Sequence, residues 1–179
     1  FIWWWTCWKN CWVTEEVKRS YLEINSLKDL QESEKPSDDY IVKLIEPTDF
    51  QLNKFFYKNI GKNHKWIDRL IWSEEQWIKY VSSKNVKTFV LKNNKDLVGF
   101  FELIIHFEKK EVEIAYFGIL EEYQNKKLGS FLLSDAIKKS FHENVERVWL
   151  HTCSLDHKNA LNNYLSRGMK IFKSEIVKI

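Results

Sequence analysis

The chain has 179 residues with 44% hydrophobic content, which is enough for one domain with a full hydrophobic core. Its 28 basic and 25 acidic residues give a net charge of +3 and are mixed along the sequence, whereas a nucleic-acid-binding protein usually carries a basic stripe. These values argue against nucleic acid as the main partner, and they leave a local site for an anionic ligand open.

The chain contains three cysteines, Cys7, Cys11 and Cys153, and an odd number is more typical of reduced thiols in the cytosol than of a disulfide framework. We therefore expect a cytoplasmic protein. Cys7 and Cys11 lack a second cysteine pair at zinc spacing. His151, Cys153 and His157 lie close together in sequence but lack a fourth ligand, so no metal site is predicted.

The first thirteen residues, FIWWWTCWKNCWV, hold five of the nine tryptophans and no acidic residue. This segment is too short for a membrane span, which needs roughly 20 apolar residues. It also lacks the basic start and the cleavage site of a signal peptide. Three interpretations stay open: contact with a membrane interface, packing against the domain or a homodimer partner, and a start that is not the natural one.

Residues 21–24, YLEI, predict a short strand, and the polar segment 31–39, QESEKPSDD, predicts a linker or surface loop. Residues 40–45 alternate in the manner of a first core strand. We therefore predict an aromatic extension with a polar linker over residues 1–39 and a single domain over residues 40–179.

Two helices are predicted next. Thr48 or Asp49 can cap the first, whose apolar face is predicted to hold Phe50, Leu52, Phe55 and Phe56. The capping-box pattern of residues 73–76, SEEQ, starts the second helix. Residues 61–69 between the helices form a loop rich in aromatic and charged residues, which is the kind of loop that often carries function.

Three strands follow, over residues 86–91, 97–107 and 112–120, and the short turns between them predict antiparallel pairing. An amphipathic helix begins near Leu128, and residues 147–152 form another strand.

Asp156 is predicted to cap a last helix that Gly168 ends, before a final strand over residues 169–179. The order of elements predicts an α/β fold of the α+β type, with a mixed, mostly antiparallel sheet and helices on both faces.

The turn between residues 120 and 128 contains Gln124-Asn125-Lys126-Lys127-Leu128-Gly129. A tight turn from a strand into a helix directs several free backbone N–H groups toward one point, where the helix dipole adds positive charge. Such a turn binds an anion through its main chain. A dinucleotide site of the Rossmann type is disfavoured, because its three-glycine fingerprint is absent.

Together with the order of elements, this turn resembles that of the GNAT superfamily of acyl-CoA-dependent N-acetyltransferases, whose signature is Gln/Arg-x-x-Gly-x-Gly/Ala. Gln124, Lys127 and Gly129 fill the signature positions, and Lys127 departs from the first glycine. The resemblance continues through residues 147–157, and residues 160–169, ALNNYLSRGM, resemble the tyrosine helix of that family. The resemblance covers about residues 40–178. The final hairpin of the family is reduced to one strand here, and residues 21–24 could supply the missing partner of that strand.

The resemblance implies that acetyl-CoA binds with its pyrophosphate on the N–H groups of residues 124–130. The pantetheine arm would pair with a splayed strand at residues 117–120, and the N–H of Ile119 would donate to the thioester oxygen. The implied cofactor-binding residues are Phe117, Ile119, Gln124, Asn125, Lys126, Lys127, Leu128, Gly129 and Ser130. The resemblance also implies that Tyr164 protonates the departing thiolate.

A lysine-like acceptor amine has a pKa about 3.4 units above pH 7, so exposing its lone pair costs roughly 4.6 kcal/mol unless a base assists. Glu113, predicted to share a strand face with Phe117 and Ile119, and Glu102 on the preceding strand are the candidate bases. His151 is a third candidate.

Aromatic and acidic residues between positions 66 and 74 suit a cation, so Trp66, Asp68, Trp72 and Glu74 are predicted to bind a small-molecule amine. The predicted reaction is direct transfer of an acetyl group to that amine. Two alternatives stay open: an acyl-CoA-binding or interaction module that has lost turnover, and acetylation of a protein terminus or lysine.

Overall fold

The computed structural model describes residues 15–178, which form a seven-stranded sheet and four α-helices. The strands are β1 (Glu16–Ile24), β2 (Tyr40–Leu44), β3 (Val86–Asn93), β4 (Asp96–His106), β5 (Glu111–Ile119), β6 (Arg147–Cys153) and β7 (Lys170–Lys178). The helices are α1 (Phe50–Gly61), α2 (Glu74–Val81), α3 (Leu128–Phe141) and α4 (Ala160–Ser166). The sheet order is β2-β3-β4-β5-β6-β1-β7, and only β5 and β6 pair in parallel, so the predicted mixed and mostly antiparallel sheet is confirmed.

Helices cover both faces of the sheet, as predicted. On one face, α3 and α4 pack over the larger core, to which Leu132, Ala136 and Tyr164 belong. On the other face, Phe56 and Ile60 of α1 pack against β3 and β4. We call these the α3 face and the α1 face.

β1 lies between β6 and β7 and pairs antiparallel with both strands. The strand predicted over residues 21–24 therefore supplies the partner of the last strand, and it is longer than the sequence suggested. Leu22 and Ile24 are buried in the core of the α3 face. The prediction placed residues 1–39 before the domain, whereas β1 is part of its sheet. The tryptophan-rich segment, with Cys7 and Cys11, lies outside the described residues.

The starts of α1 and α2 follow the predicted caps. The Asp49 carboxylate accepts from the N–H of Gln51 at 2.9 Å, and Ser73 and Gln76 form the complete capping box. The predicted apolar face of α1 is partly wrong: Phe56 is buried but Phe55 is 40% exposed. The helix instead buries positions 53, 56, 57, 60 and 61.

Asp156 does not cap α4. Its carboxylate accepts from the Thr152 hydroxyl at 2.6 Å and from the Cys153 N–H at 2.9 Å, so it closes the turn after β6. α4 begins later, after Asn159. Gly168 follows the helix with a φ of 95°, a left-handed conformation that favours glycine, as predicted for a helix end.

The structure contains no helix among residues 15–178 that is long and apolar enough to cross a membrane.

Candidate active site

The centre of the sheet opens between β5 and β6. These strands pair only at Glu111–Arg147, Val112–Val148 and Glu113–Trp149, and no further pairing joins them within the described residues. On the other edge of β5, the register shifts from Glu102 opposite Tyr116 to Leu103 opposite Ile114, which makes Ala115 a β-bulge. A bulge bends its strand and increases the twist. The predicted splayed strand is therefore β5, and we call the gap beside it the splay.

Main-chain N–H groups of β5 point into the splay. Leu120 donates its N–H to the carbonyl of Val98 on the β4 side at 2.9 Å. Because successive N–H groups of a strand alternate in direction, those of Ile119 and Phe117 point the other way, toward β6. The Ile119 carbonyl on that side accepts from the side-chain amide of Gln124 at 3.3 Å. Two main-chain donors thus face the splay.

The turn before α3 provides a second group of donors. Lys127 is the N-cap residue of α3, but its side chain makes no capping hydrogen bond. The N–H groups of Leu128, Gly129 and Ser130 have no acceptor within residues 15–178. Free N–H groups at a helix N-terminus favour an anion. A Cβ added to Gly129 would have only Asn163 nearby, at 3.8 Å, so the turn is open at this point.

Lys127 adopts the backbone conformation that glycine favours. Its φ and ψ are 58° and 9°, in the left-handed region, and Asn125 has a φ of 61°. The left-handed region costs a residue with a side chain roughly 1–2 kcal/mol, and asparagine tolerates it best. The lysine at the first glycine position therefore keeps the shape of the turn at a cost in strain.

Tyr164 lies beside the splay, on the α3 face. Its ring is 6.4 Å from the ring of Phe117 in an edge-to-face arrangement, and the residue is 7% exposed. Burial raises the pKa of Tyr164, and the charges of Asp156 and Cys153 raise it further. The phenol therefore stays protonated at neutral pH. A hydrogen bond of 2.9 Å from the Ser130 hydroxyl to the Asn163 side chain holds α4 against the start of α3.

Glu102 does not face the splay. It is fully buried on the α1 face. One carboxylate oxygen contacts Arg69 at 2.8 Å and Tyr80 at 2.9 Å, and the other accepts from Asn53 at 2.6 Å. This environment leaves no access for a substrate amine, so the geometry does not support the predicted role of Glu102 as the base.

Arg69 is enclosed by aromatic rings as well as by Glu102. Its guanidinium lies 4.0 Å from the ring centre of Tyr80, 4.2 Å from that of Tyr116 and 4.8 Å from that of Trp72. Burial alone would lower the pKa of Arg69, but the Glu102 carboxylate outweighs it and raises the pKa. Arg69 lies in the loop that the sequence predicted to carry function, but the sequence indicated no role for this residue, because its partner Glu102 lies 33 positions away in the chain.

The structure separates the four predicted acceptor residues. The ring of Trp66 is 4.9 Å from that of Tyr116 on β5. Burial raises the pKa of Tyr116, and the charge of exposed Asp68 adds a smaller rise, which places Asp68 near this ring. Trp72 packs on Arg69 instead. Glu74 lines a separate depression of about 320 Å³ beside α1. Of the four, only Trp66 and Asp68 lie near the splayed strand.

The bulge at Ala115 changes the face of Glu113. Beyond the bulge Phe117 and Ile119 join the core of the α3 face, whereas Glu113 points to the α1 face, so the prediction that the three share a face is wrong. The Glu113 carboxylate lies 3.5 Å from the imidazole of His106.

His151 lies on β6, two residues beyond the last pair with β5, and alternation places it on the α1 face as well. Partial burial lowers the pKa of His151 and the charge of Arg19 lowers it further, although the carboxylates of Glu113, Asp156 and Asp68 oppose this effect. The imidazole is therefore biased toward its neutral form. Glu113 and His151 remain as base candidates, one on each strand of the splay.

The loop after α1 also reaches the far side of the splay, which sequence reasoning missed. A ring nitrogen of His64 lies 3.2 Å from the Leu155 carbonyl, and its ring is 6.4 Å from that of His157. The only signal in the sequence was the mixed composition of the loop. No group of three or more residues that could hold a metal ion occurs between residues 15 and 178.

Replacing Glu102 with alanine tests its structural role. Removing one partner of a buried ion pair leaves the other charge uncompensated, so we expect Glu102→Ala to lower the free energy of unfolding by about 3–5 kcal/mol. Glu113→Ala on the adjacent strand is the control and should cost less than about 1 kcal/mol, because its pair with His106 is partly exposed. Urea denaturation measures both values, and an equal loss in the two variants would contradict the assignment.

Replacing Lys127 with glycine tests the strain in the turn. Glycine occupies the left-handed region without the steric cost, but it also gives the unfolded chain more freedom. Lys126→Gly is the matched control, because it removes the same charge and adds the same freedom at a residue whose φ is not positive. We expect the free energy of unfolding of Lys127→Gly to exceed that of Lys126→Gly by about 1 kcal/mol. Equal values in thermal or urea denaturation would show that Lys127 carries no strain.

Comparison with known proteins identifies the family of this chain. The family model described as acetyltransferase (GNAT) family matches residues 48–169. No curated protein matches the chain.

Three solved structures illustrate the shared fold. A GCN5-related N-acetyltransferase from Sphaerobacter thermophilus has 14% identity and a TM-score of 0.68, with 90% of this chain and 50% of that chain covered. An acetyltransferase from Bacillus subtilis in complex with CoA has 19% identity and a TM-score of 0.54, with 72% and 75% covered. An aminoglycoside acetyltransferase from an uncultured soil metagenomic sample, in complex with sisomicin, has 14% identity and a TM-score of 0.61, with 73% and 88% covered.

The chain thus spans half the length of the Sphaerobacter protein. At these identities the likeness shows the fold alone, while the family match extends over more than half of the chain and includes the splay, the turn and Tyr164. The chain therefore belongs to the acetyltransferase (GNAT) family.

Proposed function

We propose that this protein transfers the acetyl group of acetyl-CoA to a primary amine of a small molecule by direct attack. The observation that carries the proposal is that three features lie next to one another along the splay and the turn before α3. These features are the free N–H groups at the α3 turn, the two main-chain donors in the splay, and a protonated tyrosine beside them.

Acetyl-CoA would bind with its pyrophosphate on the free N–H groups of Leu128, Gly129 and Ser130, where Lys126 and Lys127 add positive charge. Its pantetheine arm would continue into the splay. The complex of the Bacillus subtilis neighbour with CoA supports this choice of cofactor. No step requires a metal ion. A cytoplasmic location, where acetyl-CoA is available, is part of the proposal.

The position of Tyr164 favours Phe117 over Ile119 as the donor to the thioester oxygen. The ring of Tyr164, the proposed proton donor, lies edge-to-face against that of Phe117, with 6.4 Å between the ring centres. The N–H of Phe117 lies two residues farther from the turn, about 7 Å along the strand. We therefore assign the developing oxyanion to the Phe117 N–H and leave Ile119 to bind the pantetheine arm.

In the reaction, the nitrogen of the amine attacks the thioester carbon and forms a new C–N bond. The electron pair of the carbonyl moves to oxygen, which the Phe117 N–H stabilises, and returns as the C–S bond breaks. The thiolate of CoA takes a proton from Tyr164, and the tyrosinate regains a proton from solvent once CoA has left. The ammonium proton of the attacking nitrogen passes to Glu113 or His151, directly or through a water molecule.

The acceptor would enter from the α1 face, between Trp66 and Asp68 on the loop and His151 on β6. Aromatic faces and a carboxylate favour a cationic amine. The aminoglycoside acetyltransferase among the structural neighbours is an example of this fold acting on a small amine-bearing molecule. The left-handed Lys127 weakens the case for an inactive binding module, because the turn keeps its shape without the first glycine.

Titration of the protein with acetyl-CoA by calorimetry tests the turn. We expect the unmodified chain to bind and Gly129→Trp to bind at least tenfold more weakly, because the indole would occupy the anion site. Lys58→Trp places the same side chain on the exposed surface of α1, and it should bind as the unmodified chain does. Absence of binding by the unmodified chain would overturn the proposal, provided that its unfolding transition shows a native fold.

Replacing Tyr164 with phenylalanine tests the proton donor. We expect the rate of acetyl-CoA-dependent thiol release, measured with a panel of small amines, to fall roughly 10²-fold while acetyl-CoA affinity is kept. The control is Tyr123→Phe, because the Tyr123 ring lies 5.2 Å from the Lys126 ammonium near the turn but outside the splay. Its turnover should change less than about twofold. Unchanged turnover in folded Tyr164→Phe would remove the donor role.

A further inference from the structure

The apolar core of the α1 face lies over one half of the sheet. It takes residues from β3 and β4 and from the end of β5, but none from β6, β1 or β7 in the part of the chain that the structure describes. We call the α1 face of β6, β1 and β7 the outer half. The ring of Tyr21 on β1 lies 5.7 Å from that of His151 on β6, so both side chains lie there. Because His151 borders the splay, the outer half begins at the acceptor side of the proposed site.

Arg19 lies on the outer half, close to the splay. In the pairing of β1 with β6, Arg19 is opposite Cys153 and Tyr21 is opposite His151. Residues two apart in a strand share a face, so Arg19 lies on the face of Tyr21 and is a diagonal neighbour of His151. Burial lowers the pKa of His151, and the charge of Arg19 lowers it further, as expected for neighbouring side chains. The guanidinium of Arg19 therefore lies within reach of the acceptor site.

Two other cations of the outer half are neutralised by carboxylates. Arg147 on β6 contacts Glu23 at 2.5 Å and Glu111 at 2.9 Å. Lys173 on β7, which is opposite Tyr21, contacts Glu175 at 2.8 Å. These two cations are therefore satisfied within the sheet and need no ligand.

Arg19 differs from these two cations. It forms no ion pair with a carboxylate between residues 15 and 178, and its Nε atom is buried without an acceptor there. Glu175 is opposite Arg19 on β7, but its carboxylate contacts Lys173 and accepts from the hydroxyl of Tyr21 at 2.7 Å. Buried polar groups of native proteins nearly always have a partner. A guanidinium without a carboxylate of its own is suited to a carboxylate or phosphate, which it can bind through two parallel hydrogen bonds.

We infer that the acceptor is an amine that also carries an anionic group, a carboxylate or a phosphate, and that Arg19 binds this group. The inference rests on the proposed function, because it extends the acceptor site of that reaction. The amine lies at the splay beside Trp66 and Asp68, and the anionic group lies over β1. Neighbouring strands are about 4.8 Å apart, and β1 is two strand positions from β5. The two charged groups of the acceptor are therefore separated by a few bonds and not by a long chain.

Matched pairs of amines test the inference. The anionic members are β-alanine, γ-aminobutyrate and phosphoethanolamine, and their partners without the anion are β-alanine amide, γ-aminobutyramide and ethanolamine. Thiol release from acetyl-CoA gives kcat/KM for each compound. We expect the unmodified chain to prefer an anionic member over its partner by at least tenfold, because the partner forms no charge-assisted hydrogen bonds with Arg19. The carboxylate and phosphate pairs show which of the two groups is bound.

Arg19→Gln should remove this preference. We expect kcat/KM for the anionic member to fall at least tenfold through a rise in KM, while the partner changes less than about twofold. The amine pKa differs within a pair but is the same for both proteins, so the comparison between proteins isolates the side chain. Lys173→Gln is the matched control, because it removes a cation of the outer half that is already paired, and it should keep the preference. Arg19→Lys keeps the charge and should recover part of the preference.

Binding without turnover separates the inference from the proposed function. Calorimetric titration of the complex with CoA measures the affinity for each anionic amine where no acetyl group can be transferred. Affinity that Arg19→Gln lowers at least tenfold, with no thiol release from any amine, would contradict the proposed function and support the role of Arg19.

The opposite pattern would overturn the inference and leave the proposed function in place. It consists of thiol release with no preference for any anionic member in the unmodified chain, a comparison that needs no variant. Equal losses for both members of a pair in folded Arg19→Gln would also overturn the inference, as would a lack of affinity for all three anionic amines.

Discussion

The buried ion pair of Arg69 and Glu102 fixes the geometry of the α1 face. Removing two charges from water costs several kcal/mol per ion, and the pair is tolerated only because every charged group is satisfied. Glu102 binds Arg69, Asn53 and Tyr80, and these come from the loop after α1, from α1 and from α2. One carboxylate on β4 thus ties two helices and their connecting loop to the sheet. Because the loop carries Trp66 and Asp68, this ion pair also sets the distance between the proposed acceptor site and the splayed strand.

Neighbouring residues of β5 beyond the bulge at Ala115 contact different parts of the site. Tyr116 faces the loop and packs against Arg69 and Trp66, while Phe117 faces the opposite side and contacts Tyr164. The same bulge bends β5 away from β6, so main-chain donors that a regular sheet would use for pairing remain free. The proposed acceptor site and the proposed proton donor therefore lie on opposite faces of the sheet beside the same part of β5. A strand without the bulge would have closed this gap.

Local signals in the sequence predicted local structure well. The Asp49 cap, the capping box of residues 73–76, the hairpins between β3, β4 and β5, and the left-handed Gly168 depend on residues close together in the chain. The failures all depend on distant contacts. Strict alternation gave the wrong face for Glu113, because a bulge leaves no periodic signal. Glu102 resembled an accessible strand carboxylate until its partner Arg69, 33 positions away, was known. Asp156 has the composition of a helix cap but binds the preceding turn, since Thr152 and the Cys153 N–H are nearer.

The turn at Lys127 shows why a departure from a motif need not change the conformation of its main chain. An anion site built from N–H groups depends on the direction of the main chain, and side chains matter only where they obstruct the ligand or forbid the conformation. Lys127 adopts the left-handed conformation at a cost of roughly 1–2 kcal/mol in the stability of the whole domain. This conformation leaves the N–H donors of the turn in place. At Gly129 the turn is open, so the second glycine keeps the approach to those donors clear. The two glycine positions of the signature therefore answer different physical demands. A lysine can satisfy the first, which concerns conformation, whereas a large side chain at the second would fill the space that the proposed anion would need.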